Sequence, residues 1–168
     1  MTDSTDPRSP WPVARLDPIA RLRVVEAVLP GVAATELVID APFDRVWGYV
    51  ADLERSVTQF DSLVRRVRVR SRAPLPGGGE AIDLQAWGTA SPLAMVFDVR
   101  LEEGLCLMRA RGRLFFVGMA AVPDGARTRF RHAEGVPLPG GRLLRRVFRR
   151  TAHGDLTRIA RIVAGPQG

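Results

Sequence analysis

The spacing of apolar positions changes twice along the chain. From residue 17 to 60 it is mostly helical, with one alternating run inside it; from about 63 to 134 apolar and polar residues alternate; after 141 helical spacing returns. In "DPIARLRVVEAVLPG", Asp17 as N-cap, Pro18 at the first helical position and Pro30-Gly31 as the stop predict a leading helix over 17–30. Its docking face is Ile19, Leu22, Val25 and either Val28 or Leu29. "VAATELVID" then reads as a strand ended by Pro42. "PFDRVWGYVADL" follows as an amphipathic helix with Phe43, Val46, Trp47 and Val50 on one face, and "LERSVTQF" as a second short helical piece.

Six strands are expected next: "LVRRVRVRSR", "EAIDLQAWG", "PLAMVFDVRLE", "LCLMRARGR", "LFFVGMAAV" and "ARTRFRHAE". Between them stand turn signals such as "PLPGGGE", Glu103-Gly104 and Pro123-Asp124-Gly125. Consecutive short strands with tight turns make an antiparallel meander. A long closing helix is predicted from about 141 to 163, with Leu144, Val147, Phe148, Leu156, Ile159, Ile162 and Val163 as its apolar stripe. Gly154 weakens that helix by about 1 kcal/mol relative to Ala, and a bend is expected near His153-Gly154. Residues 1 to 16, with three prolines and no periodicity, read as a disordered tail.

The segment "ELVIDAPFDRVWGYVADLERSVTQFDSLVRRVRV" resembles the opening of the START-like helix-grip (SRPBCC) superfamily, in particular its polyketide cyclase/dehydrase and lipid-transport branch. The resemblance is carried by Ala41-Pro42, Asp44, Val46-Trp47, Asp52 and Phe60, and extends over roughly residues 33 to 164. It implies an α+β protein: a curved seven-stranded antiparallel sheet wrapped around the C-terminal helix, two short helices after the first strand, and here an extra N-terminal helix. It also implies one helix-grip domain over 31–165, with a cavity between sheet and helix. A fold of this kind supports many functions, so substrate has to come from the residues inside.

Alternation proposes which residues face inward. On 92–102 the inner set is Leu93, Met95, Phe97, Val99 and Leu101; on 80–88 it is Ile82, Leu84 and Ala86, with Trp87 outside. On 126–134 Arg127, Arg129 and Arg131 take the solvent side, which sends Phe130 and His132 inward. Strand 105–113 is ambiguous, because inward Leu105 and Leu107 would carry Arg109 and Arg111 with them; the preferred inner set is Cys106, Met108 and Ala110. The candidate ligand-lining residues are therefore Phe60, Val67 and Leu84, then Met95, Phe97 and Met108, and finally Phe130, Leu144 and Phe148.

Candidate chemistry is sparse. His132 can act as base or hydrogen-bond donor, and Glu134, two residues on and on the same face, can orient it or move a proton itself. Tyr49, the one tyrosine, sits on the first short helix, where a phenol reaching the cavity would anchor a ligand oxygen. Asp40 and Asp44 flank Pro42 and read as helix-starting groups, with Pro42 at the first helical position.

The +7 net charge points at first to a polyanion, but six of those charges fall between 139 and 168, where seven arginines face one acid. All 25 basic residues are arginine, and the arginine strips lack the interleaved aromatics of a nucleic-acid platform. The arginine-rich helix could contact anionic lipid, provided that an exposed apolar patch adjoins it. One Cys and two scattered His give no metal-binding motif, and no phosphate loop or dinucleotide fingerprint occurs, so neither metal nor cofactor is expected. With no export signal, a cytoplasmic protein is the expectation. The function expected first is binding of an apolar small molecule of lipid, polyketide or isoprenoid type; the alternative is a cofactor-independent cyclase/dehydrase using the same cavity, and after it a peripheral membrane adaptor.

Overall fold

The computed structural model describes residues 16–112 and 114–165. The proposed tail at 1–16 therefore lies, apart from Leu16, outside the described residues. Helix α1 (Pro18–Ala27) opens on Asp17, whose carboxylate accepts from the Ala20 N–H at 2.7 Å. It ends three residues before Pro30, which disfavours helical geometry at Leu29 and so bars the helix from continuing. Leu29 rather than Val28 completes its packing face; Val28 is exposed.

Strand β1 (Val32–Ile39) leads into helix α2 (Phe43–Ala51). Pro42 is the N-cap of α2, one position earlier than expected, and its carbonyl accepts from Arg45 and Val46. Asp40 and Asp44 are both exposed. After α3 (Leu53–Phe60) come β2 (Val64–Pro74), β3 (Glu80–Gly88), β4 (Ala94–Glu102), β5 (Leu105–Ala110), β6 (Phe116–Asp124) and β7 (Arg127–Gly135). The antiparallel sheet has the order β1-β7-β6-β5-β4-β3-β2, so a meander from β2 to β7 is completed by β1 at one edge. The other edge, β2, carries bulges and outward arginines, both of which discourage pairing with another sheet.

The closing segment differs from expectation at its start. A 3-10 turn covers Pro139–Leu144, and helix α4 runs from Arg145 to Ala164. The turn is held by a close backbone approach: a Cβ on Gly31 or on Gly141 would meet the Val136 carbonyl oxygen. The buried residues of α4 begin at its eighth position: Ala152, Asp155, Leu156, Ile159 and Val163. Leu144, Val147 and Ile162, expected in the buried stripe, are substantially exposed. The helix runs without interruption through Gly154, where an added Cβ would touch nothing within 4 Å. Gly154→Ala is therefore expected to stabilise the protein by up to about 1 kcal/mol, read as a rise in melting temperature.

Two apolar cores flank the sheet. The larger lies between its concave face and α2, α3 and α4, and includes Val46, Val50, Leu53, Phe97, Phe130, Leu156 and Ile159. The smaller lies on the convex face, where α1 sets Ile19 and Leu22 against Leu105, Phe116, Ala120 and Ala133. This second layer accounts for the ambiguity of strand 105–113. Leu105 is outward yet buried under α1, while Cys106, Met108 and Ala110 face the main core and Arg109 and Arg111 are exposed. Arg111 pairs with Asp83 and Asp98 across the outer face. Arg127 and Arg129 take the solvent side, but Arg131 is tucked beside α1, bonded to Glu26 and Glu36 at 2.6 and 3.0 Å.

Candidate functional site

Between the concave face, α3 and the start of α4 lies a cavity of about 350 Å³. Its walls are almost wholly apolar. Val67, Leu84, Phe97 and Met108 supply the sheet side, Val57 and Phe60 the α3 side, and Phe148 the α4 side. Met95 stands at the mouth with Leu63 and the Gly88–Ser91 turn. There Phe115, from the β5–β6 connection, meets Phe148 with ring centroids 5.6 Å apart.

Phe130 and Leu144, proposed as lining, Tyr49, proposed for chemistry, and Leu93, proposed as inward, are not part of the cavity. Phe130 is on the inner face as expected, but it is fully buried among the side chains that pack α2 and α4 onto the sheet. Leu144 belongs to the 3-10 turn, so helical periodicity does not govern it, and it is 45% exposed. Tyr49 lies on the flank of α2 rather than on the Val46, Trp47 and Val50 face; its hydroxyl donates to Gln59 Oε1 at 3.2 Å in a separate surface groove. Trp47 and Phe43 stack on each other, 6.5 Å apart, away from the cavity. Leu93 precedes β4 and is 77% exposed.

Polar groups gather at one end. His132 and Glu134 reach the cavity from β7, and Asp61 reaches it from the end of α3. Asp155 of α4 stands behind them, 4% exposed. His132 Nε2 is 3.9 Å from Glu134 Oε2 and 3.9 Å from Asp155 Oδ2, too far for a hydrogen bond to either. Neither ring nitrogen has a partner among the described residues. The other oxygen of each carboxylate is taken: Thr151 Oγ1 donates to Glu134 Oε1, and Arg158 Nη1 donates to Asp155 Oδ1 at 2.9 Å. Arg158 also donates to the Phe60 carbonyl at 2.7 Å, tying α4 to the end of α3. The Phe60 and His132 rings stand nearly perpendicular, with centroids 6.4 Å apart.

Burial pushes the Asp155 carboxyl up to about 7, with the Asp61 and Glu134 carboxylates adding to the rise and His132 and Arg158 opposing it. Burial likewise raises Asp61, against the Leu63 N–H that it accepts. The Cys106 thiol is pushed up to about 12 by complete burial, which makes it a poor nucleophile. Sequence reasoning missed Asp155 because the closing segment's one acid entered only the charge count. The available signal was its position one residue from Leu156, inside the buried stripe.

No protein-family model and no curated protein matches the chain. Solved structures do. A START superfamily protein from Mycobacterium smegmatis aligns at 14% identity and a TM-score of 0.58, over 79% of this chain and 97% of that one. The Zhui aromatase/cyclase from Streptomyces sp. R1128 aligns at 13% identity and 0.56, over 79% of this chain and 93% of that one. The di-domain ARO/CYC BexL from the BE-7585A biosynthetic pathway aligns at 16% identity and 0.59, over 80% of this chain and 48% of that one. The chain therefore has the START-like helix-grip (SRPBCC) fold, with its seven-stranded antiparallel sheet closed by a long C-terminal helix. At these identities the likeness is one of fold.

Proposed function

We propose that the protein binds an apolar small molecule with an oxygen-bearing end, of lipid, polyketide or isoprenoid type, in the cavity beneath α4. The observation that carries this reading is the division of the cavity: apolar walls from mouth to base, and His132, Glu134 and Asp61 gathered at one end. Its volume of about 350 Å³ lies at the lower end of the roughly 300 to 1,000 Å³ of small-molecule sites. Native mass spectrometry of gently purified protein is expected to show a co-purifying apolar ligand in one-to-one ratio. Protein that takes up neither a cellular ligand nor an added apolar fluorophore would sink the proposal.

The surroundings of the mouth support a route of loading. Leu63, Leu93 and Leu114 are 57%, 77% and 60% exposed, and the turn leading to Phe148 exposes Leu143 at 88%. On that same stretch Arg142, Arg145, Arg146, Arg149 and Arg150 are all exposed. Apolar side chains ringed by cations suit the surface of an anionic bilayer. No helix among the described residues is long and apolar enough to cross a membrane, so contact would be superficial. The protein should co-sediment with vesicles containing phosphatidylserine and not with neutral ones. Leu143→Glu together with Arg146→Glu should lower that binding at least tenfold, and raised salt should lower it too. Equal binding to neutral vesicles would remove the role of the arginines.

A second reading, cofactor-independent cyclase/dehydrase chemistry, is supported by the same polar end. An unpartnered His132 at the cavity wall can take an acidic C–H proton from a poly-carbonyl chain, and the Asp155 carboxyl 3.9 Å away, which burial pushes up to about 7, can supply a proton to the leaving hydroxyl. Full activity of His132→Ala on a poly-β-carbonyl substrate would eliminate it.

A further inference from the structure

We propose that His132, Glu134 and Asp155 hold a divalent transition-metal ion at the polar end of the cavity, through Nε2, Oε2 and Oδ2, with one coordination position open to the cavity. This goes beyond ligand binding and does not depend on it. The three candidate atoms come from β7 and α4 and lie within 4.8 Å of one another, and all three residues are buried. Atoms bound to one ion at about 2.0–2.2 Å stand roughly 3 to 3.6 Å apart, so the two 3.9 Å separations need only small side-chain rotations to close.

Three features distinguish this set from an ordinary acidic cluster. First, the groups do not satisfy one another: His132 is 2% exposed and has no hydrogen-bond partner on either ring nitrogen among the described residues, a costly state for a buried imidazole. Second, the carboxylates are already oriented. Thr151 occupies Glu134 Oε1 and Arg158 occupies Asp155 Oδ1, which leaves the oxygens nearest His132 free, as outer-shell partners do around bound metals. Third, three carboxyl groups converge there, those of Glu134, Asp155 and nearby Asp61, and among the described residues the guanidinium of Arg158 is bonded to only one of them. A divalent cation would give the remaining carboxyl oxygens a common partner.

One imidazole and two carboxylates suit zinc, manganese or ferrous iron better than magnesium or calcium, which prefer all-oxygen shells. Three protein ligands with a fourth position open is the arrangement of catalytic rather than structural zinc. His132 and Glu134 line the cavity, so the open position faces the ligand. The ligand class it selects is an apolar molecule ending in a carbonyl, enolate or carboxylate oxygen.

The test uses untagged full-length protein stripped with a chelator and titrated calorimetrically with Zn²⁺ in the absence of organic ligand. One ion per chain is expected, and Co²⁺ in its place should give the visible d–d bands of a low-coordinate N/O site. His132→Gln and Asp155→Asn should each weaken binding at least 100-fold, and Thr151→Val, which removes a positioning contact, about 10- to 100-fold. His153→Ala, which removes the exposed second histidine, should leave it unchanged. Circular dichroism confirms that each variant is folded; if His132→Gln is not, Asp155→Asn decides. Absence of Zn²⁺ binding, full affinity in folded His132→Gln or Asp155→Asn, or loss of affinity in folded His153→Ala overturns the proposal. Uptake of an apolar fluorophore, measured in parallel, stays normal if the metal site alone is wrong.

Discussion

A Met108→Trp variant should fold normally and take up no ligand. Met108 points inward from the middle of β5, is 6% exposed and forms part of the cavity wall. The indole would extend into empty space rather than into packed neighbours, so the usual penalty for enlarging a core side chain is small. Filling a void often stabilises, and the melting temperature should hold or rise by a few degrees. The remaining space would fall below the roughly 300 Å³ of the smallest ordinary ligand sites. Affinity for an apolar fluorophore should drop at least tenfold, and the co-purifying species should vanish from native mass spectra. Met108→Ala, which enlarges the cavity, should keep binding. If the Trp variant binds as the parent does, the ligand sits elsewhere.

The second large effect is on α1. Leu22→Ala should destabilise the protein by about 3 kcal/mol, the middle of the range for a buried leucine. Leu22 is fully buried, and its side chain lies against Gly118 so closely that a Cβ there would collide with it. The convex-face core is small, so no neighbour can close over the gap. Acid should act on the same helix. Glu102, bonded to Arg21 of α1 at 2.7 Å, is lowered from the ordinary carboxylate value of 4.5 to about 2, chiefly by that bond. A carboxyl depressed on folding contributes stability that is complete above its unfolded value and disappears as pH falls through its folded one. The contact should therefore weaken from about pH 4.5 toward 2. Hydrogen exchange is expected to show α1 losing protection ahead of β6 and β7 over that window, and earlier still in Leu22→Ala. Simultaneous loss in α1 and the sheet would show that the helix is not a separable layer.

The element order and the inner faces of most strands were legible because period-2 and period-3.6 patterns are local properties of a chain. His132 was placed inward from three alternating arginines, and Cys106, Met108 and Ala110 from the electrostatic cost of the alternative. What was not legible depended on partners distant in sequence. Arg131 alternates like a solvent-facing residue, yet α1, a hundred residues earlier, provides the carboxylate that pairs with it. Tyr49 and Leu144 failed for a different reason: a helical offset of one position, or a 3-10 turn in place of α-helix, rotates a side chain out of the cavity. Asp155 reads as a surface acid in isolation and becomes part of a site only when α4 is laid against β7.

Phe115 and Phe148 bear on how anything reaches that site. They meet at the mouth from opposite walls, and both are only partly buried. Rotamer changes of exposed side chains take picoseconds to nanoseconds, whereas collective movement of a helix takes microseconds or longer. The buried half of α4 can then stay seated while the two rings swing. Exchange of a narrow molecule becomes a question of aperture rather than of unfolding. For the ligand proposed above, the doorway would limit breadth: a chain or a planar ring presented edge-on would pass where a globular one would not.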